Sequence, residues 1–198
     1  MTRFRYVQYY LIPLGRFAEA MEQSRLALET DQLSMPVHFG MAWAICCGKQ
    51  YRETIEYARR ALEIDPNFYL LWLTMAFAQL DAGFTQEAIT SLKRVVELAP
   101  WYNIGIGSLA AAYYQAGDHE RCQEWARKLA DSHGQTVGAA FYYAAAGQAD
   151  AMFEAFEGAF QRRSLDLRNI RNWRTLPFLD LYRSDPRFQA LLAKMNLL

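Results

Sequence analysis

The chain has 198 residues, 53% of them hydrophobic and 15% aromatic, and its 21 basic and 21 acidic side chains cancel. That composition excludes an intrinsically disordered chain and allows one large or two small domains burying roughly 70% of the unfolded surface. The charge balance gives no general attraction to nucleic acid or an anionic membrane, and no run of about 18 uncharged apolar residues offers a membrane span.

Apolar residues recur at helical spacing almost throughout, and no segment shows the period-two alternation of a strand. In chain order the spacing predicts helices over 3–13 and 16–30, 35–47 and 51–64, 69–82 and 85–98, 103–116 and 118–131, and 135–146 and 148–162. The first of these carries an arginine pair and a short apolar run but no small-residue cleavage site, which speaks against a signal peptide. Thr85 and Asp118 stand where N-caps belong.

These helices follow a period. Pro66 and Pro100 are 34 residues apart, and matching phrases, ETIEYARRALEIDP and EAITSLKRVVELAP, lead into them. EAMEQSRLALETDQ ends 34 residues earlier, at Gln32, with the proline lost but Ala20, Ala27 and Leu28 kept. With proline at position 32, the repeats run 1–34, 35–68, 69–102, a shortened 103–132, and 133–164. Position 8 reads Ala42, Ala76, Ala110 and Ala140, with Gln8 as the exception. Position 20 reads Ala20, Thr54, Ala88, Cys122 and Met152, and position 27 reads Ala27, Ala61, Val95, Leu129 and Ala159. Small residues belong where two antiparallel helices cross. Gly15, Gly83, Gly117 and Gly147 at position 15 suit the left-handed turn between them, and Gly48 falls one residue early.

This pattern resembles the tetratricopeptide repeat (TPR) over about residues 1–164. The resemblance implies an all-α, right-handed α-α superhelical solenoid of about five TPR-like helix pairs with a C-terminal capping segment. That cap would be residues 165–198, where Ser184-Asp185-Pro186 opens a helix with an apolar face of Phe188, Leu191, Leu192 and Met195. The phrase RSDPRFQALL also resembles the end of TPR regions in bacterial signalling proteins, where such regions follow an effector domain. The first repeat begins at residue 1 without a polar lead-in, which suggests a fragment of a longer protein or a first helix that packs on another molecule, with a short stand-alone protein as the alternative.

Chemistry-bearing constellations are sparse. His38, His119 and His133 form no ligand spacing, and no phosphate-cradling loop or nucleophile motif is present. Ile104-Gly105-Ile106-Gly107 lies inside a helix, without a following lysine. Cys46, Cys47 and Cys122 cannot make a disulfide framework and suit a reducing compartment, with cytoplasm as the default. The arginines at 162, 163, 168, 171, 174, 183 and 187 read as a solvated cap paired with Asp166, Asp180 and Asp185, rather than as a nucleic-acid patch. No enzyme, cofactor or metal is expected.

In the resembling family, positions 2, 5, 6, 9, 12 and 13 of each first helix face the concave groove. Carried over, they give a partner-binding lining of Tyr6, Tyr9, Phe39, Trp43, Leu73, Phe77, Ile104 and Tyr114. That lining is apolar and aromatic. It lacks the lysine and asparagine that clamp a C-terminal carboxylate, so an apolar peptide or helix is the expected occupant. The alternative is self-association as a homodimer, with the groove partly filled by the chain's own tail.

Overall fold

In the computed structural model, residues 3–130 and 136–197 are described. The 132/133 repeat junction, His133 and the Arg174 side chain lie outside the described residues. Among those described there is no strand.

A short helix α1 (Arg3–Tyr6) runs into a π-helical turn (Val7–Leu11). The slip has a cause in Pro13, which has no N–H to return to the ladder. Ile12 instead donates to the Val7 carbonyl at 3.0 Å and Arg16 to Leu11 at 2.9 Å, both five residues back. Helices α2 (Phe17–Leu28), α3 (Met35–Cys47), α4 (Tyr51–Leu62), α5 (Tyr69–Asp81), α6 (Thr85–Leu98), α7 (Asn103–Gln115), α8 (His119–Ala130), α9 (Val137–Ala145) and α10 (Ala149–Gln161) then pack consecutively, each on its chain neighbours. Thr85 is the first helical residue of α6 and caps nothing, whereas Asp118 accepts from the Arg121 N–H at 3.1 Å.

The even-numbered helices α4, α6 and α8 are amphipathic, with charged residues outward. The odd-numbered ones are different. From Leu71 to Leu80, α5 buries every residue except Trp72, and α7 buries Ile104 through Tyr113 without interruption. A helix apolar all round has neighbours on every side. The turns within the pairs close in one way: after α5, Phe84 N–H donates to the Gln79 carbonyl at 2.8 Å and Gly83 N–H to Leu80 at 3.1 Å, with Gly83 at φ +80°. Gly15, Gly117 and Gly147 repeat that geometry. In the second pair Gly48 is right-handed, and Lys49 takes the left-handed position at φ +63°.

Between pairs, the indole N–H of Trp72 donates to the Pro66 carbonyl at 2.9 Å, tying the start of α5 to the proline that ends the preceding repeat. The position-8 alanines Ala42, Ala76, Ala110 and Ala140 are all fully buried, as are Ala20, Thr54, Ala88 and Met152 at position 20. Helices α7 and α9 approach each other backbone to backbone. A Cβ on Gly107 would lie 1.9 Å from the Gly138 carbonyl oxygen, and one on Gly138 would lie 1.9 Å from that of Asn103.

After α10 the chain forms a 3-10 segment (Leu165–Thr175), a short α11 (Pro177–Asp180) and α12 (Pro186–Lys194). Helix α12 is capped by Asp185, which accepts from the Arg187 N–H at 2.9 Å, and it packs on α10 through buried Phe188, Leu191 and Leu192. Arg187 reaches Asp150 at 2.6 Å and Lys194 reaches Glu157 at 2.8 Å across that joint.

Candidate functional site: the tail-lined concave groove

The 3-10 segment lies against α3 and α5 on the inner side of the solenoid. Its anchor is Trp173, 3% exposed, whose ring meets Phe141 edge-on at 4.8 Å and stacks on Phe156 at 6.1 Å. Phe141 also contacts Phe77 at 6.2 Å, and Phe77 contacts Trp43 at 5.9 Å, so one aromatic chain links the tail to α9, α5 and α3. Asn172 reaches the opposite end of the molecule, its side-chain amide donating to the Ile12 carbonyl at 2.5 Å. Beyond it, Lys49 pairs with Asp180 at 3.5 Å, and the Tyr182 hydroxyl donates to the Ala144 carbonyl at 3.3 Å. This layer is what surrounds the apolar inner helices on their concave side.

The eight expected groove residues divide. Phe39, Trp43, Leu73, Phe77 and Ile104 converge on one cavity beside the tail, and all but Phe39 are buried. Tyr9 stands at its edge, half exposed, beneath the guanidinium of Arg168 at 5.2 Å. Tyr6 and Tyr114 stand apart: Tyr6 stacks on Tyr10 at 5.3 Å and bonds Glu19, and Tyr114 packs edge-on against His119.

The same cavity has walls that the groove positions did not include. Tyr69 opens α5 and Tyr102 immediately precedes α7, and their rings meet edge-on at 5.3 Å. Asp166, Arg168, Asn169 and Trp173 come from the tail. Burial pushes the Asp166 carboxyl above its ordinary value, with Arg168 pulling the other way. Tyr102 is pushed far above the usual phenol range, first by burial and then by the Asp166 charge, and Tyr69 is raised by the same two causes. Asp166 was visible in the sequence only as a charge in an arginine-rich cap. Nothing in its spacing marked it as facing two tyrosines.

No protein-family model matches the sequence, and no curated protein matches it either. Solved structures do match. TTC0263, a thermophilic TPR protein of Thermus thermophilus, superposes with a TM-score of 0.60 at 16% identity, over 82% of this chain and 92% of that one. The fold is the TPR solenoid. The MamA protein gives a TM-score of 0.58 at 15% identity, covering 92% of this chain and 93% of its own. A tetratricopeptide repeat protein from Parabacteroides merdae gives 0.56 at 13% identity, over 99% of this chain and 80% of that one. Identities of this size carry the fold alone.

The metal-binding residue types do not gather: among the described residues no group of three or more histidines, cysteines or carboxylates could hold an ion. No described helix is long and apolar enough to cross a membrane.

Proposed function

We propose that this TPR-fold chain is a non-enzymatic protein-interaction module that docks an apolar segment of a partner protein on its concave face, in exchange for its own C-terminal segment. The observation that carries the reading is the seat of Trp173. A short helical stretch with one aromatic anchor already lies in the groove, between Phe141 and Phe156 and next to the line of Phe77 and Trp43. A partner segment of the same chemistry, with a Trp or Tyr anchor on an apolar turn, would meet the same walls. The RSDPRFQALL phrase supports placing the module in a bacterial signalling protein and, with it, in the cytoplasm.

The test uses a fluorescent peptide of residues 165–182 as the partner surrogate. A Trp173→Ala chain, checked for helix content, has a weakened tail and should bind the peptide at least tenfold more tightly than the original chain. A Phe77→Ala change in that background should reverse the gain. Equal binding to both chains, or binding to neither, would sink the exchange reading.

A second reading is self-association through the N-terminal end. Tyr9, Tyr10 and Leu14 are 50%, 46% and 37% exposed within six residues of each other, an exposed apolar group on the first helical segment. Sedimentation at high concentration decides it, and a monomer there removes it.

A further inference from the structure

The cavity between the tail and the inner helices measures about 170 Å³. At ~30 Å³ per water, that is the volume of about six waters, the scale of a small organic molecule and well short of a nucleotide. Rings of Trp43, Tyr69 and Tyr102 wall it on the helix side.

Its polar lining is balanced in an unusual way. Trp43 Nε1 and Arg168 Nε are buried donors without an acceptor, and Asn169 Oδ1 is a buried acceptor without a donor. Trp43 and Asn169 are 3% and 8% exposed, so bulk water does not satisfy either. The Asp166 carboxylate receives no hydrogen bond among the described residues, although burial works against its charge. Asp166 and Arg168 are two residues apart on one wall and form no ion pair with each other. The guanidinium is held elsewhere, by Nη1 donating to the Leu165 carbonyl at 2.5 Å and by its seat over Tyr9. One negative and one positive group, kept apart in an aromatic cavity with a spare donor and a spare acceptor, match neither a simple cation nor a simple anion. A cation would face Arg168, and an anion would face Asp166 and the Asn169 oxygen.

We propose that this cavity binds a free α-amino acid with an apolar side chain, its ammonium group on Asp166 and Asn169, its carboxylate on Arg168 and Trp43. The side chain then packs against the tyrosine rings. Because the helices supply Trp43 and the tail supplies the other three polar groups, the ligand bridges the tail to the groove. The site does not depend on the partner-docking reading, since it is assembled within one chain with the tail in place.

Isothermal titration of the full chain with the twenty common L-amino acids tests this. Leucine is the reference probe, beside its amine counterpart 3-methylbutylamine and its acid counterpart 4-methylpentanoate. At least one apolar amino acid should bind with a sub-millimolar Kd, and its amine and acid counterparts should each be at least tenfold weaker, because each leaves one charged wall group unpaired. Asp166→Asn should weaken the amino acid at least tenfold while tightening the acid counterpart, which no longer faces an unpaired carboxylate. Trp43→Phe, which keeps the ring and removes the donor, should weaken the acid counterpart and leave the amine unchanged. Helix content and melting of both variants report whether they fold. The proposal is overturned if no apolar amino acid binds with a Kd below 1 mM, if the amine or the acid binds as tightly as the amino acid, or if a folded Asp166→Asn chain binds as the original does.

Discussion

Replacing Gly107 by alanine sets two local effects of opposite sign against each other. Gly107 lies inside α7, where alanine is the better helix former by about 1 kcal/mol. On propensity alone the variant would be more stable. The packing demands the opposite: the new Cβ would fall 1.9 Å from the Gly138 carbonyl oxygen and 2.6 Å from the Gly138 Cα. The obstacle is backbone, so no rotamer change relieves it. Reaching the 3.4 Å of ordinary contact requires α7 and α9 to separate by about 1.5 Å, and a gap of even 0.5–1 Å forfeits a quarter to a half of each dispersion contact across the joint. Overpacking ordinarily costs about 1–3 kcal/mol, and a backbone-on-backbone clash belongs at or above the top of that range. For a chain of this length, roughly 3 kcal/mol corresponds to a fall in Tm of about 6–12 °C. Thermal and urea unfolding by circular dichroism measure it. Gly83→Ala is the control, because nothing lies within 4 Å of its Cβ and the left-handed φ alone costs about 1–2 kcal/mol. A Gly107→Ala chain that melts at or above the original temperature would refute the close approach of α7 and α9.

Three further outcomes follow from single sites. Gln8 is buried with both amide atoms unpaired, so Gln8→Met, of similar volume, should raise stability by about 1–2 kcal/mol in urea unfolding, and a loss would show that the amide is satisfied. Lys49→Gly should gain about 1 kcal/mol by relieving the left-handed φ, reduced by the exposed Asp180 pair it gives up, which is worth at most about 1 kcal/mol; a clear destabilisation would mean that the pair dominates. Asp166 has a folded-state pKa above its unfolded one, so the folded chain holds this proton more tightly and the group costs stability as pH rises from the unfolded value through the folded one. Asp166→Asn should therefore be more stable than the original at pH 7 and indistinguishable from it below the ordinary aspartate range, with an equal gain at both pH values counting against the assignment.

The part of this molecule legible in its sequence is the part governed by short-range geometry. Glycine at position 15 is required by a left-handed turn, and the four glycines there all adopt it. Alanine at position 8 is required by a helix crossing, and Ala42, Ala76, Ala110 and Ala140 are all fully buried. Where the pattern broke, local geometry still held. Gly48 came one residue early, yet the backbone kept its register and placed Lys49 in the left-handed position. The glycines of α7 read only as a cluster inside a helix, because their reason is a backbone in the next repeat, which no local pattern encodes. The concave face turned on a signal that was present but has two meanings. The unbroken apolar runs of α5 and α7 describe either an open apolar groove or a face covered by another layer, and helical period does not distinguish them. A solvent-facing side would normally interrupt such runs with charge. For α5 the continuity from Leu73 to Leu80 is accounted for by the 3-10 segment on its inner side, and for α7, from Ile104 to Tyr113, by α6, α8 and the closely packed α9. The cap residues Asp166, Arg168 and Asn169 then acquire a second role from position alone. On a solvated end they would simply face water, but set against Trp43, Tyr69 and Tyr102 they give an aromatic cavity its charged and amide groups.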